Sequence, residues 1–146
     1  MQAAKIYKCH PDAIIPEVKS RGAAGYDLHA IEDFTIEPGD RAIVGTGLVV
    51  QPPRGYHTEI ILRSGLAYKH NIMLVNGIGL IDRDYSGETD ELKVMLYLPL
   101  GEEKEVSFEK GDRVAQLVFR MTYLPSLVEV DEAPGETRGG FGSTGK

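Results

Sequence analysis

The chain has 146 residues, a mass of 16.0 kDa and a formal net charge of −6, from 22 acidic and 16 basic side chains. That length fits one domain able to bury its own core without a disulfide or a metal. The acidic balance argues against a general nucleic-acid binder, which carries a basic face, and the single cysteine, Cys9, excludes an internal disulfide and a cysteine zinc cluster. The four histidines show no metal-ligand spacing. The first residues form no signal-like apolar run, and no stretch approaches the ~20 apolar residues of a membrane span. The expectation is a soluble cytoplasmic protein with neither nucleic acid nor membrane as a partner.

Strand patterns dominate from the N-terminus onward. Arg41–Val49 is short-chained and β-branched, and is entered by the turn Glu37-Pro-Gly-Asp40. Tyr56–Leu62 follows the break at Gln51-Pro-Pro-Arg-Gly55. Ser64 is placed to cap one short helical turn through Lys69. Further strands are predicted over Leu92–Leu98, Val106–Phe108, Arg113–Tyr123 and Ser126–Val130. Turn signals recur about every 8–12 residues, the pattern of an all-β sandwich or barrel with at most one short helix. The body runs over residues 1–131. Residues 132–146 change character, with four of the chain's 17 glycines in the last eight positions, and read as a flexible segment of the same domain.

Several segments carry polar groups in places that suit a ligand. Gly140-Phe-Gly-Ser-Thr-Gly-Lys146 matches the first part of a phosphate-binding loop, but lacks the preceding strand and following helix that such a loop needs. Its glycine N–H groups and hydroxyls can still bind an anion, and Phe141 can stack on a nucleobase. Arg63-Ser-Gly65 joins a strand to a short turn, a phosphate-binding combination that, taken alone, reads more readily as a capped turn with a surface arginine. In Asn76-Gly-Ile-Gly-Leu-Ile-Asp-Arg-Asp-Tyr-Ser-Gly-Glu88, Gly77 and Gly79 let a hairpin backbone approach a flat ligand. Asp82 directly follows an apolar strand there. Gln116 interrupts an apolar run, so it needs a partner. Asp27 sits among apolar positions, where a structural hydrogen bond is the expected use.

Together and in this order, the segments resemble the trimeric dUTPases (deoxyuridine triphosphate nucleotidohydrolases). The five motifs are Ala24-Gly-Tyr-Asp-Leu28, Arg63-Ser-Gly65, Gly79-Leu-Ile-Asp-Arg-Asp-Tyr-Ser-Gly-Glu88, Gly111-Asp-Arg-Val-Ala-Gln-Leu117 and Arg138-Gly-Gly-Phe-Gly-Ser-Thr-Gly145. The third and fifth are specific. The resemblance implies a distorted jelly-roll or β-barrel subunit and a homotrimer with three sites, each assembled between subunits. It implies hydrolysis of dUTP to dUMP and pyrophosphate by water attack on the α-phosphate. Mg²⁺ would be held by the triphosphate with no direct protein ligand, Asp27 reaching it through water. By position, Asp82 is the general base, Tyr85 packs against the sugar, and Asn76, Gly79 and Ile81 belong to the hairpin that reads uracil. Arg63, Ser64, Gly65 and Gln116 bind phosphates. Arg138, Ser143 and Thr144 close over them, with Phe141 stacked on the base. These roles suit the chemistry, since a carboxylate accepts a proton from water and phosphoryl transfer is mainly positioning and charge neutralisation.

Three departures from the family pattern stand out. Thr89-Asp-Glu91 resembles an insertion, Leu98 falls where many members have asparagine, and only two glycines separate Arg138 from Phe141. The competing readings are a dCTP deaminase-like enzyme and a catalytically silent nucleotide-binding regulator of the same fold.

Overall fold

The computed structural model of the chain describes residues 2–137 and Gly139. Among them the backbone forms β1 (Lys5–Lys8), β2 (Tyr26–His29), β3 (Phe34–Ile36), β4 (Arg41–Gly45), β5 (Leu48–Gln51), β6 (Tyr56–Ile61), α1 (Ser64–His70), β7 (Met73–Leu74), β8 (Gly79–Ile81), β9 (Lys93–Tyr97), β10 (Val106–Phe108) and β11 (Arg113–Met121). All pairings between these strands are antiparallel. They build four small sheets, ordered β1-β5, β10-β3, β2-β11-β6-β8 and β4-β9-β7. The result is the expected all-β fold with one short helix. No helix among the described residues is long and apolar enough to cross a membrane.

The sheets wrap one core. Leu28, Leu48, Val94, Leu96, Leu98 and Val114 are each wholly removed from solvent, and burying one such side chain stabilises by about 1.5–3 kcal/mol. Leu98 is therefore a core residue, which explains an apolar side chain at that place. Phe34 stacks on Phe108 at 4.6 Å across the β3–β10 pair. Tyr26 meets Phe119 edge-on at 5.8 Å.

Three boundaries differ from the sequence expectation. Arg41–Val49 is not one strand. It splits at Thr46-Gly47, β4 pairing with β9 and β5 with β1. Gly47 has φ +65°, and a Cβ there would lie 2.8 Å from the Cβ atoms of Ala13 and His10, so only glycine makes this corner. The Gly47 N–H donates to Glu91 Oε1 at 2.8 Å, which gives the Thr89–Glu91 segment a structural task. At α1, Ser64 is the first helical residue rather than the cap. Arg63 holds the N-cap position without a side-chain cap bond, and the helix runs one residue further to an αL cap at Asn71. Finally, Ser126–Val130 forms no strand among the described residues, and Leu127 and Val128 are 95% and 79% exposed. Its β-propensity is real, but a strand needs a ladder partner, and this stretch has none within the described chain.

Candidate active site

The sequence-predicted residues fall into two places. The first is the outer face of the β2-β11-β6-β8 sheet. Gln116 lies on the inner strand β11, opposite Asp27 on β2 and Ile61 on β6. Directly opposed residues share a face, so Asp27, Gln116 and Ile61 form one row. Two residues beyond Ile61, at the turn into α1, Arg63 sends its Nε–H back to Asp27 Oδ1 at 3.1 Å. Ser64 and Gly65 follow as the exposed first residues of the helix. Asp27 is 8% exposed in its side chain, and its second oxygen accepts from Arg113 Nη1 at 3.3 Å. A buried carboxylate is tolerated only when paired, and here each oxygen faces a guanidinium. The expected structural hydrogen bond of Asp27 is thus a double ion pair. Arg113 had no role in the sequence reading; the only signal was its place between the turn and the apolar run of its motif.

The second place is the connection from β7 through β8 to the loop beyond. The expected hairpin is a turn between sheets, because β7 pairs with β9 and β8 with β6. Asn76 opens the turn, the Ile78 N–H donates to the Asn76 carbonyl at 2.7 Å, and Gly77 has φ +68°. Gly79 is required by packing, since a Cβ would meet Ile60 Cβ at 2.9 Å. Ile81 ends β8, half-buried, and Asp82 follows it as an exposed carboxylate. Asp82, Arg83 and Asp84 line an open cleft of about 910 Å³ with Arg54, His57, Thr122 and Leu124. Tyr85 stands at the loop with its hydroxyl donating to the Glu91 carbonyl at 3.2 Å. Nothing in the sequence pointed to Glu91 as the anchor of both Tyr85 and Gly47.

Within one chain these two places are well apart. Asp82 lies one residue past the Thr58–Ile81 pair, whereas Gln116 pairs with Ile61. Four steps along β6 at ~3.3 Å, and two strand spacings of ~4.8 Å across, separate Asp82 from Gln116 by roughly 16 Å. A general base must lie within hydrogen-bond reach of its proton, or one water away. Within one chain, Asp82 is thus beyond direct hydrogen-bond reach of Gln116. Arg138, Phe141, Ser143 and Thr144 lie outside the described residues. Among the described residues no three His, Cys, Asp or Glu side chains converge to hold a metal ion, and Asp27 already has both oxygens on arginines.

Comparison with known proteins identifies the family. The dUTPase family model matches residues 11–145. The deoxyuridine 5′-triphosphate nucleotidohydrolase of Nautilia profundicola is 44% identical over 97% of this chain and 98% of its own length. Among solved structures, Staphylococcus bacteriophage 80alpha dUTPase with dUPNHPP superposes with a TM-score of 0.86 at 25% identity, over 99% of both chains. A variant dUTPase from phage phi11 of S. aureus, which coordinates a structural Mg(II) ion, superposes with a TM-score of 0.79 at 25% identity, over 89% of this chain and 97% of that one. With five motifs in order, the all-β fold and near-complete coverage of its relatives, the chain belongs to the dUTPase family.

Proposed function

We propose that this protein hydrolyses dUTP to dUMP and pyrophosphate, in sites shared between the subunits of a homotrimer. The observation that carries the shared-site reading is the gap of roughly 16 Å between Asp82 and the Gln116 row within one chain. Both groups belong to motifs of one family, so they meet only if a second chain brings its Asp82 to the first chain's arginines. A second observation supports assembly. Met121, Tyr123, Leu124, Leu127 and Val128 are 77–95% exposed on the segment after β11. A run of that kind on a soluble chain marks a protein interface.

In this reading the uracil lies against the Asn76–Ile81 turn, whose backbone groups read it, and Tyr85 packs on the deoxyribose. Arg63, Ser64, Gly65 and Gln116 hold the phosphates. Asp82 takes a proton from a water whose oxygen bonds to the α-phosphorus. The bond from that phosphorus to the α,β-bridging oxygen breaks, and its electrons leave with pyrophosphate. Residues 132–146 are a lid on the body of residues 1–131, Arg138, Ser143 and Thr144 reaching phosphates while Phe141 stacks on the base. Such a lid excludes bulk water. The donor set fits Mg²⁺ carried on the triphosphate, contacted by Asp27 through water alone because its oxygens are engaged by Arg63 and Arg113. When bound, the ion neutralises charge on the phosphates. The setting that fits is the cytoplasm, where a lone thiol such as Cys9 stays reduced.

The test is pyrophosphate release from dUTP, dCTP, dTTP and UTP supplied separately. Turnover of dUTP alone is expected. Absent turnover of dUTP leaves the silent-regulator reading, and ammonia release from dCTP leaves the deaminase one.

A further inference from the structure

Arg113 stands three residues before Gln116, a spacing that puts two side chains on opposite faces of a regular strand. The ladder is not regular there. Arg113 pairs with His29, Ala115 with Leu28 and Gln116 with Asp27, so three steps on β11 span two on β2, with the register shift between Arg113 and Ala115. The extra residue is a bulge, and a bulge re-aims a side chain. It brings Arg113 onto the face that carries Asp27 and Gln116, where its Nη1 reaches Asp27 Oδ2 at 3.3 Å. One arginine already neutralises Asp27, through Arg63 Nε at 3.1 Å. The second leaves a net positive charge on this face, in a chain whose formal charge is −6. The Arg113 side chain is 46% exposed, and among the described residues its one side-chain hydrogen bond is from Nη1 to Asp27. A fork of this kind matches phosphate oxygens.

We propose that Arg113 is a second phosphate-binding arginine of the dUTP site, and that Asp27 is the positioning residue holding it and Arg63 in a fixed pair. The inference rests on the proposed function and assigns these two residues to the polyphosphate end rather than the nucleoside. It is tested by titrating wild type, Arg113→Ala and Arg113→Lys with the imido analogue dUpNHpp and, separately, with dUMP. Losing one charge-assisted contact predicts a roughly 10- to 100-fold weaker grip on the analogue for Arg113→Ala. Binding of dUMP stays within about twofold, and Arg113→Lys falls between because it keeps charge but not the fork. Asp27→Asn, if folded, shows the same selective loss for the analogue. Should it fail to fold, the Arg113 variants decide alone. Wild-type affinity of Arg113→Ala for the analogue overturns the proposal, as does an equal loss for analogue and dUMP, which marks a merely structural role. If wild type turns over dUTP, such a result sinks this inference alone. If wild type neither turns over dUTP nor binds the analogue, the proposed function falls with it.

Discussion

A shared site makes a quantitative prediction about mixtures of two crippled variants. Asp82→Asn removes the proposed base and should slow turnover about 10²–10⁴-fold, the usual contribution of general-base catalysis. Arg63→Ala removes a phosphate contact and leaves Asp82 intact. In the proposed shared site, with Asp82 and the Arg63–Gln116 row held apart in one chain, each site would take Asp82 from one subunit and Arg63 from another. The two variants are mixed in equal amounts, unfolded and refolded together. A given site then receives a sound Asp82 with probability one half and a sound Arg63 with probability one half, so about a quarter of sites are wild type. Against parents at a hundredth of normal activity or below, that is a rise of roughly 25-fold or more. Pyrophosphate release from dUTP measures it, and native mass spectrometry verifies that mixed oligomers formed. If each chain carried a complete site, every site in the mixture would keep one defect. A verified mixture with no gain over the mean of its parents would refute the shared-site reasoning.

Other parts of the structure yield further expectations. Removing residues after Gly135 should cut dUTP turnover while leaving thermal unfolding and oligomer size unchanged; undiminished turnover would show the tail idle. Gly47→Ala forces a Cβ to 2.8 Å from Ala13 and His10 at φ +65°, and should cost at least about 1–3 kcal/mol in denaturant unfolding. Burial pushes the His29 imidazole below its ordinary value, with Arg113, Arg63 and Lys19 lowering it further against the opposing pull of Asp27. Its folded state thus binds a proton less readily than its unfolded state. Stability on this account is full above the unfolded value of 6.5 and falls as the pH drops from there toward the folded value. Unfolding midpoints should decline over that window in wild type and decline less in His29→Gln; parallel profiles would remove His29 as the cause.

The motifs were legible because each depends on residue type within a few positions: glycine at a corner, arginine before a short helix, aspartate after an apolar strand. What stayed hidden depends on partners distant in the chain. Arg41–Val49 reads as one strand because alanine, isoleucine and valine all favour strands. The corner at Gly47 comes from the packing of Ala13 and His10, and from the carboxylate of Glu91, none of which neighbours it in sequence. Ser126–Val130 reads as a strand for the same reason, yet pairing is decided by what lies alongside, and among the described residues nothing does. Arg113 is the sharper case. Strict alternation assigns it to the face opposite Gln116, and a one-residue bulge reverses that assignment. The expectation of sites assembled between subunits came from the family resemblance, and the sheet supplies a physical ground for it. Arg63, Gln116 and Asp27 are drawn together by the sheet, while the same sheet holds Asp82 four residues further along β6 and two strands across. The register of the ladders holds Asp82 apart from the Arg63 row within one chain, a separation that no residue type reveals by itself.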